Sequence, residues 1–323
     1  TDASGNMATC SFTVTVTDAE APTAVCQNIS LHLNGAGNAT LTAAMVNNGS
    51  SDACGIASLS INTSSFTCAN VGPNSVILTV SDVNGNTSTC TSVVTVVDSI
   101  DPVATCQNIT VHLNNGGAAT VIAAMINNGS SDVCGIASLT LINGSFSCAN
   151  VGPNSVTLTV TDVNGNSSTC TSVVTVIDSV DPTAVCQNVT VQLNSLGNGS
   201  TTAAAVNNGS SDACGIQSLS LSQSAFVCAE VGANTEVLTV TDVNGNTSTC
   251  STVITVQDNI APIATCQNVT VQLNNTGNGT TTAAAVNNGS SDACGIQSLV
   301  LSQTAFVCSE VGANTEVLTV TDV

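Results

Sequence analysis

Ser75-Val76-Ile77-Leu78-Thr79-Val80-Ser81-Asp82-Val83-Asn84-Gly85-Asn86-Thr87-Ser88-Thr89-Cys90-Thr91-Ser92-Val93-Val94-Thr95-Val96-Val97 is the stretch that decides the fold. Its two runs, Ser75 to Val80 and Ser88 to Val97, are rich in β-branched residues, and Val83-Asn84-Gly85-Asn86 between them is turn chemistry. That is the pattern of a β-hairpin. Working outward, Val25 to Leu33, Ala39 to Val46 and Ala57 to Ile61 read as further strands, and Thr13-Val14-Thr15-Val16 alternates with period two. Asn34-Gly35-Ala36-Gly37, Asn47-Asn48-Gly49-Ser50-Ser51 and Val71-Gly72-Pro73-Asn74 punctuate them. The helical candidate, Thr42 to Val46, is too short to stand alone.

The cysteines show that this unit repeats. Cys26, Cys106, Cys186 and Cys266 are 80 residues apart, as are Cys54, Cys134, Cys214 and Cys294; Cys68, Cys148, Cys228 and Cys308; and Cys10, Cys90, Cys170 and Cys250. The expected organisation is residues 1–17 as the last strand of a preceding module, complete modules at 18–97, 98–177 and 178–257, and a truncated module at 258–323. Such a chain reads as a window cut from something longer. Five or six strands are countable per unit, with a seventh short or hidden. The fold expected is therefore all-β: tandem immunoglobulin-like antiparallel β-sandwich modules of 80-residue period, joined like beads on a string and stapled by disulfides.

Composition removes whole classes of function. The 323 residues include no Lys or Arg, 20 Asp plus Glu, and no Trp or Tyr, for a formal charge of −20. Nothing here can neutralise phosphates, which excludes nucleic acid and adhesion to anionic lipid, and no apolar run is long enough to insert in a membrane. Catalysis lacks its usual groups. His32 and His112 are replaced by Gln192 and Gln272 in later modules, so they read as solvent-facing strand residues, and no G-x-S-x-G elbow or phosphate loop occurs. Phe66, Phe146, Phe226 and Phe306 each recur two residues before a cysteine and read as the one large core side chain per module.

Four cysteines per module allow three pairings. The expected one joins Cys26 to Cys90 and Cys54 to Cys68, repeated as Cys106 to Cys170 with Cys134 to Cys148, and Cys186 to Cys250 with Cys214 to Cys228, then Cys294 to Cys308. On the chain-entropy model the short closure contributes about 3 kcal/mol and the long one about 4 kcal/mol. Cys10 and Cys266 would pair outside the chain. Zinc is disfavoured because no C-x-x-C and no recurring His is present.

Asp2-Ala3-Ser4-Gly5-Asn6-Met7-Ala8-Thr9-Cys10-Ser11-Phe12-Thr13-Val14-Thr15-Val16 resembles the end of a hyalin repeat (HYR) domain. Asp101-Pro102, Cys106 and Asn108-Ile109-Thr110-Val111 resemble its start, and Asp132-Val133-Cys134-Gly135 its centre. Thr91-Ser92-Val93 departs from it, because the pattern carries Phe after the last cysteine. Tandem arrays of such modules resemble the repeat region of large surface adhesins of gliding Bacteroidetes, of the SprB type. That resemblance implies an extracellular filament exported by type IX secretion, anchored in the outer membrane through other parts, and used for attachment or gliding motility. It also implies O-glycosylation at Ser99 and Ser179, within Asp98-Ser99-Ile100 and Asp178-Ser179-Val180. The many Asn-x-Ser/Thr sequons, Asn28-Ile29-Ser30 among them, read as a by-product of composition.

Calcium is expected at each module junction, because an immunoglobulin-like topology brings the last hairpin to the pole where the chain enters. The expected sets are Asp18, Glu20, Asp52, Asp82, Asn84 and Asn86; Asp98, Asp101, Asp132, Asp162, Asn164 and Asn166; and Asp178, Asp181, Asp212, Asp242, Asn244 and Asn246. At the fourth junction Ala261 replaces the second linker acid, so Asp258, with Asp322, should form the weakest site. The competing reading makes Asp-x-Asn-Gly-Asn a hairpin turn and leaves the linker acids solvated. Functionally the chain reads as the inert stalk of an adhesin whose surface or glycan ligands bind elsewhere. The alternatives are a multivalent glycan- or protein-binding array, which the absence of Trp and Tyr disfavours, and a fibre formed by lateral self-association of Thr/Val faces.

Overall fold

The computed structural model describes all residues, 1–323. In the first complete module the elements run β1 (Ile29–His32), β2 (Asn38–Thr40), α1 (Ala43–Val46), β3 (Ile56–Ile61), β4 (Ser65–Thr67), a 3-10 turn (Cys68–Asn70), β5 (Gly72–Asp82) and β6 (Thr87–Val97). β5 and β6 form the expected hairpin, in register from Gly72 opposite Val96 to Ser81 opposite Thr87. They are the middle of a four-stranded sheet ordered β1-β6-β5-β3. A second layer is the short antiparallel pair β2 and β4. Isolated antiparallel bridges, Thr23 with Ser51 and Cys26 with Asn47, pair the segment before β1 with the loop before β3.

Alternation on the long strands explains the sandwich. Val76, Leu78 and Val80 of β5 and Val94 and Val96 of β6 face inward, meeting Leu31, Leu33, Leu41, Val46 and Phe66. The third module repeats this set with Val191, Leu193, Val206, Phe226, Leu238, Val240, Ile254 and Val256. Apolar side chains at every second position can be buried on one face only, and two such faces closing on each other make the core.

Two strand expectations are corrected. β1 runs parallel to β6, with Ile29 opposite Val94 and His32 opposite Val97, so the sheet is not wholly antiparallel. Residues 39–46 are not one strand: β2 stops at Thr40, and Ala43–Val46 makes a helical turn closed by the Asn47 N–H donating to the Ala43 carbonyl at 3.1 Å. Two successive alanines favour that turn over a pleat. Thr13 to Val16 forms no ladder, and Phe12, Val14 and Val16 are exposed. Residues 269–272, which match β1, likewise carry no strand pairing.

Candidate functional site

The disulfides follow two registers. Cys26–Cys90, Cys106–Cys170 and Cys186–Cys250 close single modules across Cα–Cα distances of 5.8, 5.9 and 6.0 Å. Each ties the segment entering β1, or its equivalent, to the last strand. The second register overturns the expected pairing. Cys68 bonds not to Cys54 but to Cys134 of the next module, Cys148 bonds to Cys214, and Cys228 bonds to Cys294. Cys10, Cys54, Cys266 and Cys308 carry free thiols.

The reason lies in where the fold puts the two cysteines. Cys54 follows Asp52 in the loop before β3, beside the hairpin turn, since the Val83 N–H donates to the Gly55 carbonyl at 3.1 Å. Cys68 opens the 3-10 turn after β4 and packs on the β1–β2 turn, where its Sγ lies 3.9 Å from the Gly37 carbonyl. A Cβ placed on Gly37 would sit 2.8 Å from that Sγ and 3.2 Å from a methyl of Val133, the neighbour of Cys134. The β1–β2 turn of one module thus receives the Asp132-Val133-Cys134 loop of the next.

Around this staple the linker and loop acids converge. Ligand atoms of Asp98, Asp132 and Cys134 all lie within 4.8 Å of one another, as do those of Asp178, Asp212 and Cys214, of Asp258, Asp292 and Cys294, and of Asp18, Asp52 and Cys54. In each pair the backbone fixes one oxygen per carboxylate. Asp98 Oδ1 accepts the Ile100 N–H at 3.1 Å, and Asp132 Oδ1 accepts the N–H groups of Cys134 and Gly135 at 2.7 and 3.1 Å. Asp98 and Asp178 are 6% and 7% exposed, yet Oδ2 of each, like that of Asp258, is buried with no hydrogen-bond partner.

The hairpin residues lie close by, but most are otherwise engaged. Asn166 Nδ2 donates to the Asp98 carbonyl at 3.3 Å. The Asp162 carboxylate serves its own turn, accepting the N–H groups of Asn164 and Asn166 at 2.9 and 2.8 Å and the Asn166 side-chain amide at 2.8 Å. Burial pushes this carboxyl up, but the Asn166 side chain and the amides of Asn164, Asn166 and Gly165 together hold it below its ordinary value. Asp82 with Asn84 and Asn86, and Asp242 with Asn244 and Asn246, repeat the arrangement. Asn164 Oδ1 is buried without a partner. Glu20, Asp101 and Asp181 are exposed and outside the acid pairs, whereas Asp292, which the sequence reading left out, belongs to one. Asp322 pairs opposite Ile296 and is likewise outside the Asp258 pair.

At the first junction Cys54 carries a free thiol. Its hydrogen bond to Asp18, then the Asp18 charge, desolvation, and the charges of Asp52 and Asp82, push the thiol above its ordinary value.

His32 and His112 are exposed at the ends of their strands, with Nδ1 3.2 Å from Ser99 Oγ and 2.9 Å from Ser179 Oγ. Where Gln192 replaces the histidine, it pairs instead with Gln257 at 2.7 Å and Asn259 at 2.5 Å. Ser99 and Ser179 are themselves exposed.

No family model and no curated protein matches the chain. Among solved structures it is similar to extracellular cadherin domains 1–4 of protocadherin gamma B7, at 14% identity and TM-score 0.31, covering 82% of this chain and 83% of that one. It is also similar to a three-immunoglobulin-domain segment of titin, at 10% identity and TM-score 0.29, covering 74% and 100%. Immunoglobulin domains 1–4 of Sidekick-1 match at 8% identity and TM-score 0.28, covering 73% and 76%. The fold conclusion rests on the chain's own sheets and disulfides: these are tandem immunoglobulin-like β-sandwich repeats with covalent staples both within and between modules.

Proposed function

We propose that this chain is a tension-bearing stalk segment of an extracellular cell-surface adhesin, of the HYR-like type found in SprB-related gliding or attachment filaments, with calcium at its module junctions. The observation that carries the reading is the interleaving of the two disulfide registers. A pull arriving through Cys68–Cys134 need cross only the residues from Cys134 to Cys148 before leaving through Cys148–Cys214. A pull arriving through Cys26–Cys90 need cross only Cys90 to Cys106 before entering Cys106–Cys170. At up to about 3.5 Å per residue, either path caps an unravelled module at about 50–60 Å, against about 280 Å for 80 free residues. The two paths run in parallel, so breaking one bond leaves the other carrying the load.

Such bonds persist in an oxidising compartment, which supports reading the segment as one that lies outside the cytoplasm. No helix is long and apolar enough to cross a membrane, and the proposal puts anchor and adhesive tip elsewhere in the full protein. The side-chain inventory suits a scaffold rather than an enzyme. Force spectroscopy tests the reading. In the modules at 98–177 and 178–257, which both registers enclose, the oxidised chain and variants lacking either register alone should show no unfolding step beyond a few tens of Å per module. Full reduction should release steps of about 200 Å or more. Steps of that size from those two modules in a variant lacking a single register would overturn the load-path proposal.

A further inference from the structure

The staple between modules has a chemical consequence for the acids beside it. At the first junction Cys54 is a free thiol whose Sγ stands within 4.8 Å of carboxylate oxygens of Asp18 and Asp52. At the next three junctions the equivalent cysteines, Cys134, Cys214 and Cys294, are oxidised and have no S–H to donate. At those same three junctions the linker carboxylate is left with a buried, unpartnered Oδ2: Asp98, Asp178 and Asp258. A second carboxylate, Asp132, Asp212 or Asp292, stands within 4.8 Å. Two acids this close, one of them with a buried carboxylate oxygen, repel and are poorly solvated unless something positive lies between them, and the chain has no Lys or Arg to supply it.

We infer that each disulfide-closed junction binds one divalent cation of the calcium type between the paired carboxylates Asp98 and Asp132, Asp178 and Asp212, or Asp258 and Asp292. Deepening the calcium reading above, this assignment changes its ligands. Asp101, Asp181 and Glu20 drop out because they are exposed, and the hairpin acids Asp82, Asp162 and Asp242 drop out as principal ligands because their oxygens cap their own turns. The fourth junction ceases to be the weak one, since Ala261 replaces a residue outside the pair. Oxygen-only ligation suits a hard cation, and because the disulfide sulfur is no thiolate, zinc is not favoured. The pair is pre-set: one oxygen of each carboxylate is pinned by backbone amides, Asp178 by the Val180 N–H at 3.1 Å and Asp212 by the Cys214 N–H at 2.7 Å.

Calorimetric titration of the whole oxidised chain with calcium chloride is the test. Three sites are expected, with dissociation constants of about 0.1–1 mM, as for extracellular modules of low ligand charge. Asp98→Asn and Asp132→Asn should each lower the stoichiometry from three to two, and the double variant should lower it no further. Asp101→Asn and Glu20→Gln should leave it at three. Circular dichroism and a non-reducing peptide map showing Cys68 still joined to Cys134 confirm that a variant has folded. Absence of saturable binding by the native chain overturns calcium at the junctions altogether. Binding that survives in D98N and D132N but falls in D101N overturns this ligand set while leaving the broader calcium reading intact.

Discussion

A methyl group on Gly117 would lie 2.6 Å from Sγ of Cys148 and 3.3 Å from Cβ of Ala213. Gly117 has a φ of +70°, a conformation that costs a side-chain-bearing residue about 1–2 kcal/mol. Space and backbone thus both demand glycine where one module takes up the loop of the next.

Gly117→Ala should therefore impair closure of Cys148–Cys214 while leaving Cys106–Cys170 formed. A lower melting temperature, with free Cys148 and Cys214 in a thiol-labelling map, is the expected result. The destabilisation should be about 1–3 kcal/mol.

Acid should loosen the hairpins selectively. Asp82, Asp162 and Asp242 are held below their ordinary values, because the side-chain and backbone hydrogen bonds outweigh the upward push of burial. A depressed native value stabilises the fold above the unfolded value, near 3.9, and that contribution is lost as pH falls through the lower native value. Melting temperature should be nearly flat from about pH 7 to 5 and fall below about pH 4. The combined Asp→Asn variant at these three positions should lose part of that acid dependence.

Cys54 should be a slow nucleophile despite its exposure. With Asp18 raising its thiol, less thiolate is present near pH 8 than in an unstructured cysteine peptide. Alkylation by iodoacetamide, followed by mass spectrometry against pH, should show its midpoint above that of the peptide, and Asp18→Asn should move it down.

Phe226 is 1% exposed and is the one aromatic in its module's core. Replacing it with Ala should cost about 3–5 kcal/mol. Because Cys186–Cys250 and Cys228–Cys294 remain as covalent restraints, the loss should register as a broadened thermal transition in that module rather than release of the chain. Calorimetric scans of native and variant chains compare the two.

Much of this was legible from residue order alone. Alternation along Ser75–Val80 and Ser88–Val97, and the turn between them, determined the central hairpin. Asp-x-Asn-Gly-Asn determined its Asx turn, and the recurrence of every cysteine at 80 residues determined the modules. These are local properties, set by backbone preference and side-chain period. The partner of Cys68 was not among them. Cys54 and Cys134 are one position of the repeat, a period apart, so a strictly periodic sequence describes both with the same neighbours. Only the tertiary structure chooses between them: each lies beside the hairpin turn of its own module, and the packing of the Asp132-Val133-Cys134 loop on the β1–β2 turn of the module before brings Cys134, not Cys54, to Cys68. The metal reading divides in the same way. Composition showed acids without cations, but burial of Asp98 and the prior claim of the Asp162 turn on its own carboxylate decided which oxygens are left over. Burial and hydrogen-bond allocation arise from contacts between distant segments, and those exist only once the chain has folded.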